Sequence, residues 1–338
     1  LVIAGNFFSV NGTARPQLAR LLPSGEVDPA FVPPTFDVAN QAIRGLVPLP
    51  DGKVIVMGSF TKVAGQDRKY LARLNENGSV DETFDPSSAI PSQPYAVTGT
   101  ADGGVLVLGL GLNFNGIATN QSNPFIRTNL GPVVRLDASG AKDTNLATRI
   151  RVSTSIGNLI APAADGGFYV AGDISVYTNA FTSAFPSGQP VRRYLARFLE
   201  NGAWDTNFNA VVTGGAFPNF GLPLITSLSV GIDGDVLLTG NLGTVNGVPV
   251  QSIARFNPDG SLDRTFTTNA ASILRRDDAY FNAVFTPGGQ VLCIIDTRFA
   301  GMSAVRLNAD GTVAQWITSF PNYGPGPLPS WQTAPDGT

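Results

Sequence analysis

The sequence predicts an all-β fold, a six-bladed β-propeller of four-stranded antiparallel blades. Three observations predict it. Two hairpin motifs alternate along the chain in six copies. Each places Asp-Gly, Asn-Gly or a similar pair between short apolar runs, where glycine takes positive φ without steric cost. The run Val54-Ile55-Val56-Met57 does not alternate with polar residues. Both faces of its sheet are therefore covered, as when sheets stack face to face about an axis. No 3.6-residue apolar period is sustained over about twelve residues, so no substantial helix is expected.

The first motif is the turn from strand A into strand B. It reads Asp51-Gly52 before Val54–Met57, Asp102-Gly103 before Val105–Leu108, Asp165-Gly166 before Phe168–Ala171 and Asp233-Gly234 before Val236–Thr239. Gly288-Gly289 before Val291–Ile294 is a degenerate copy, and Leu1–Ala4 is the run without its turn. The second motif is strand C, a turn and strand D. Its Arg is Arg20, Arg73, Arg135, Arg197, Arg255 or Arg306. Five residues later stands Gly25, Gly78, Gly140, Gly202, Gly260 or Gly311. Eight later stands Asp28, Asp81, Asp143, Asp205 or Asp263, with Ala314 in the sixth copy. Eleven later stands Phe31, Phe84, Leu146, Phe208, Phe266 or Ile317. Repeats of about 50–60 residues fit propeller blades.

One domain is expected over 1–338, with repeats at approximately 1–50, 51–101, 102–164, 165–232, 233–287 and 288–338. The chain starts inside a strand B. It ends with Leu328–Pro335, which aligns with strand A, and then Asp336-Gly337-Thr338. Blade one is thus expected to be closed by the C-terminal strand, which hides the sheet edges. The alternative is a window of a longer array. With no initiator Met, the chain reads as part of a longer exported protein.

Composition excludes much chemistry. There is no His, which removes His-based triads, metal ligands and pH switches. One Cys forms no intrachain disulfide or thiolate zinc site. A net charge of −3 gives no basic field for nucleic acid. No apolar run reaches the roughly 18 residues of a membrane helix, so no membrane insertion is expected. No phosphate loop, nucleophile elbow or dinucleotide fingerprint is present.

The runs Asp51-Gly-Lys-Val-Ile-Val-Met-Gly-Ser-Phe60 and Leu71-Ala-Arg-Leu-Asn-Glu-Asn-Gly-Ser-Val-Asp-Glu-Thr-Phe84 resemble the delta-60 repeat family. The resemblance spans all six repeats and is strongest in the second and fifth. The sixth departs from it, with Ala314 for Asp and Ile295 where other B strands end in Gly. The resemblance implies a bacterial β-propeller of unassigned function in large secreted or surface proteins. An extracellular or cell-surface location is expected. The low Lys count, 4 against 18 Arg, points the same way.

The repeated Arg and Asp read as structural pairs across the C–D turn, since strand C lies away from the axis and its Arg residues do not converge. No cofactor is expected. The Asx-rich turns resemble calcium loops, without the twelve-residue ligand spacing or the bidentate Glu. Cys293 lies in an apolar strand and reads as a buried, inert thiol.

The B–C connections are longest in repeats three and four, and B–C and D–A loops are expected on one face, opposite the A–B and C–D turns. That face carries the candidate binding residues Phe114, Asn115, Asn120, Phe125, Tyr177, Phe181 and Phe185, with Arg275 and Arg276 in a D–A loop. Aromatic side chains with amides suit sugars and protein partners alike. Three functions are open: a non-catalytic scaffold or adhesive module, with self-assembly or a surface protein as partner; a lectin-like glycan binder; and a polysaccharide-acting enzyme. A propeller does not choose among them.

Overall fold

A computed structural model describes residues 1–38, 43–109, 133–146, 150–152, 159–176, 191–214, 225–274, 279–297 and 301–320. The chain divides into two compact units, Leu1–Leu146 and Ala147–Thr338. The described secondary structure is β-strand apart from one helix, Arg264–Ser272. The residues expected to close the ring, 328–338, lie outside the described residues.

In the first unit, Val2–Ala4 pairs with Leu18–Arg20. The second repeat sets Ile43–Pro48, Val54–Gly58 and Leu71–Leu74 side by side as strands A, B and C. The third does the same with Pro94–Gly99, Val105–Gly109 and Val133–Leu136. The Asp51-Gly52 turn closes with Leu49 N–H on the Lys53 carbonyl at 2.9 Å, and Gly52 sits at φ +77°. That turn fixes the register, Leu46 opposite Val56. Every residue of Val54–Gly58 and of Val105–Gly109 is buried. Two apolar clusters follow, one around Val54, Val56 and Phe60, the other around Ile55, Phe84, Val107 and Leu136.

In the second unit, Leu159–Pro162, Phe168–Val176 and Val191–Phe198 form the fourth repeat's sheet. Ile225–Val230, Val236–Gly240 and Ile253–Phe256 form the fifth. The sixth sheet has four strands, Ala279–Phe285, Val291–Thr297, Gly301–Leu307 and Val313–Phe320.

The expected fourth strand is a correction in the other repeats. There it shrinks to one bridge: Leu21 to Val27, Leu74 to Val80, Leu136 to Lys142, Phe198 to Trp204, and Phe256 to Leu262. The Asp that follows is the cause. Asp28 accepts from Ala30 N–H at 2.9 Å, Asp81 from Thr83 at 3.0 Å, Asp143 from Asn145 at 2.8 Å and Asp205 from Asn207 at 3.0 Å. An Asx turn takes the amides that a ladder would use. Ala314 cannot make one, and in the sixth repeat the strand continues to Phe320.

The helix is a second correction. Asp263 caps it, accepting from Phe266 N–H at 3.0 Å, so the fifth D segment passes into Arg264–Ser272. Nine residues are too few for the periodic signal that the sequence lacks.

The short B–C connections are a third. In repeats one, two and five each folds into a small hairpin: Ser9–Val10 with Thr13–Ala14, Lys62–Val63 with Gln66–Asp67, and Leu242–Val245 with Val248–Pro249. The turn residues Asn11-Gly12, Ala64-Gly65 and Asn246-Gly247 all take positive φ, the geometry that matches strand twist. The tips reach the C–D turns. Asn11 donates through Nδ2 to the Gly25 carbonyl at 2.9 Å, and Asn246 to the Gly260 carbonyl at 3.0 Å. The B–C connections of repeats one and five therefore meet the C–D turn, rather than lying on an opposite face.

The D–A segments do meet the B–C connections, but of the following repeat. Phe36 bridges Val63, Ile150–Val152 pairs with Ile174–Val176, and Val212–Gly214 pairs with Leu242–Val245.

Candidate functional site

The repeated arginines are the charged feature most widely shared, and those of the first five repeats each hold several partners. Arg20 donates through Nε to Asp28 at 2.7 Å and through Nη1 to the Glu76 carbonyl at 2.6 Å, and its guanidinium lies 5.2 Å from the Phe31 ring centre. Arg73 repeats this with Asp81 at 2.7 Å, the Gly103 carbonyl at 3.4 Å and Phe84 at 4.8 Å. Arg255 does so with Asp263 at 2.8 Å, the Ala309 carbonyl at 2.6 Å and Phe266 at 4.5 Å. Arg197 bonds both Asp205 and the A–B turn's Asp165. Arg135 bonds Asp102 at 2.7 Å and lies 4.0 Å from Asp143.

In three of these contacts the acceptor carbonyl belongs to the next repeat. Backbone bonds follow the same path: Val32 N–H to Asn77, Asp85 to Ser139 and Asn209 to Asp259. The turn glycine allows the approach. Gly260 sits at φ +84°, and a Cβ there would meet the Asn209 nitrogen at 2.6 Å.

The carboxylates are tuned by these contacts. Burial raises the affinity of Asp81 for a proton, but hydrogen bonds from Thr83, Lys53 and Arg73 outweigh it and hold the group well below the usual carboxylate range. Asp235 goes the other way. Burial and then the neighbouring Asp233 push it up, against the pull of Arg255 at 3.5 Å. Burial also pushes the Cys293 thiol up; it is fully buried. Among the described residues, no group of three or more Asp, Glu or Cys is placed to hold a metal ion, and no helix is long and apolar enough to cross a membrane.

A shallow cleft of about 680 Å³ opens in the second unit. Asn207, Asn209 and Val211, after the fourth repeat's Asx turn, form one wall. Asn246 and Gly247 at a B–C hairpin tip, with Asp259 and Ser261 in the C–D turn, form the other. Asn246 is structural: Oδ1 accepts from Val211 N–H at 2.8 Å, while Nδ2 holds Gly260. Asp259 accepts the Ser261 N–H at 2.8 Å, and bonds from Ser261 lower its proton affinity. The side chains of Asn207 and Asn209 are exposed and have no hydrogen-bond partner among the described residues.

The expected binding residues Phe114, Asn115, Asn120, Phe125, Tyr177, Phe181, Phe185, Arg275 and Arg276 all lie outside the described residues. Sequence reading missed the cleft. A usable signal was present in the hairpin glycines, Gly12, Gly65 and Gly247, each seven residues after a strand-B Gly.

The family model described as a domain of unknown function (DUF5122) beta-propeller matches residues 1–31, 49–84 and 233–266. No curated protein matches the chain. Among solved structures, the chain is similar to a protein of unknown function from Bacteroides caccae, at 11% identity and a TM-score of 0.49, over 94% of this chain and 92% of that one. It is also similar to XC5397, a gluconolactonase from Xanthomonas campestris, at 14% identity and a TM-score of 0.45, over 90% of each chain.

Proposed function

We propose that this chain, which carries DUF5122 β-propeller repeats over residues 1–31, 49–84 and 233–266, is a non-catalytic interaction module of an exported bacterial protein. In this reading its six repeats close into one ring, and the long connections around 110–132 and 177–190 recognise a partner at the cell surface. The observation that supports it is where the recurrent ionisable groups are spent. Arg20, Arg73 and Arg255 each bind an Asp of their own repeat and a carbonyl of the next. Groups committed in this way hold repeats together and have no proton to move for a substrate.

Co-sedimentation with bacterial envelope fragments tests the reading, alongside a panel of polysaccharide turnover assays. Sedimentation that weakens at least tenfold on Tyr177→Ala with Phe181→Ala, and no turnover, is expected. Turnover of a polysaccharide, abolished by one carboxylate substitution, overturns it.

A further inference from the structure

One position in each repeat decides how much sheet edge stays open. Asp28, Asp81, Asp143 and Asp205 stop the D segment after a single bridge, and Asp263 turns it into a helix. An open strand edge invites pairing with other chains, and a short one offers little to pair with. The sixth repeat has Ala314 at this position, and Val313–Phe320 runs on as an eight-residue strand. It is the last strand of its sheet. One side is bonded to Gly301–Leu307, and no strand lies on the other among the described residues.

Charged residues and Pro are the usual protection of such an edge. Val-Ala-Gln-Trp-Ile-Thr-Ser-Phe contains no Lys, Arg, Asp, Glu or Pro. Five of its eight residues, Val313, Trp316, Ile317, Thr318 and Phe320, favour strands. Two register shifts bend the strand without interrupting it. Trp316 is 53% and Ile317 44% exposed. Water therefore meets a long, neutral edge with two large apolar side chains at its middle.

A row of backbone N–H and C=O groups is matched by another strand, and the side chains choose which one. The occupant needs an apolar centre and no charge. The same strand of a second copy has both. Trp316 and Ile317 are flanked by Gln315 and Ala314 before them and by Thr318 and Ser319 after them. The order apolar centre, polar or small flank is thus the same read in either direction. Two copies paired antiparallel about that centre set apolar residues on apolar ones and oppose no like charges. Such a two-fold contact also closes, because each copy's edge is used by the other. We propose that Val313–Phe320 is a dimerisation edge, on which a second copy of this chain adds the same strand antiparallel, with the two-fold axis at Trp316 and Ile317. The long connections invoked above take no part in it, so the two readings fail separately.

Sedimentation velocity on the whole chain over a concentration series tests it. A monomer–dimer equilibrium is expected. Ile317→Lys and Ile317→Glu each bring like charges together at the axis, and each should weaken the dimer at least tenfold. Their equal mixture should dimerise again, because Lys then meets Glu. That rescue requires folded chains, so it separates a lost contact from a lost fold. Ala314→Asp, which restores the residue that stops this strand elsewhere, should weaken the dimer as well. A monomer at every concentration up to about 0.5 mM overturns the proposal. So does a dimer that survives both charged variants, a mixture that stays monomeric, or growth into larger assemblies.

Discussion

The Nη1 of Arg255 donates to the carbonyl of Ala309, 2.6 Å away and 54 residues on, while Nε of the same guanidinium donates to Asp263. One side chain thus fastens its own C–D hairpin and the turn of the next repeat. Arg20 makes the corresponding bond to Glu76 at the same 2.6 Å. Carbonyls at a turn are short of backbone donors, so a guanidinium with five N–H groups suits the place better than an ammonium.

Removing such a group is costly where it is buried. Arg73 and Asp81 are 5% and 4% exposed. Arg73→Ala takes one of two cations from a buried carboxylate that keeps Lys53 at 2.9 Å, and urea denaturation should show a loss of about 2 kcal/mol. Arg73→Lys should lose less, since it keeps the charge. A loss below about 0.5 kcal/mol in the alanine variant would show that the pair does not hold the hairpin.

Acid should release these pairs. The proton affinity of Asp81 is lower in the folded than in the unfolded chain, so its stabilisation is complete above the ordinary carboxylate pKa of about 4 and fades as pH falls below it. Asp102 and Asp165 shift in the same direction, with burial outweighed by hydrogen bonds that include Arg135 and Arg197 respectively. Melting temperature should fall steadily from pH 5 to pH 2, and Asp81→Asn should flatten part of that fall. An unchanged slope in Asp81→Asn contradicts the assignment.

Asp235 has the opposite sign. Its folded-state proton affinity is raised, so its charge disfavours folding once pH exceeds the unfolded value. The second repeat has Lys53 at the same turn position, bonded to Asp81 at 2.9 Å. Asp235→Lys should therefore stabilise the protein near neutral pH by about 0.5–1 kcal/mol, read by thermal melting. Destabilisation would mean that the pairing with Arg255 outweighs the repulsion.

Cys293 lies fully buried in a strand, opposite Ala283 and Val305. A buried thiol of raised proton affinity is a poor nucleophile. Ellman's reagent should label it only at the rate of unfolding, and labelling within seconds in native buffer contradicts that burial.

The strands A, B and C were legible because each hairpin is written locally, as Asp51-Gly52 is between Leu49 and Val54. The fourth strand was misread because Val80 and Asp81 look like a strand and its partner, whereas the Asx turn of Asp81 ends the ladder after one bridge. Among the described residues only the sixth repeat, with Ala314, completes it. The small hairpins were readable at Asn11-Gly12 and Asn246-Gly247, yet nothing in the linear sequence says that their tips fold back onto Gly25 and Gly260. The cleft was hidden for a similar reason. Asn207, Asn246 and Asp259 belong to two repeats and three connections, brought together by backbone bonds that the sequence does not display.

Hydrogen exchange on Arg255→Ala, resolved by mass spectrometry, separates a fastener between repeats from a feature of one hairpin. Faster exchange is expected over 253–266, and also over the turn at 308–311, where Arg255 reaches Ala309. Unchanged protection over 308–311, with loosening confined to 253–266, would contradict the role of the repeated arginines as links between repeats.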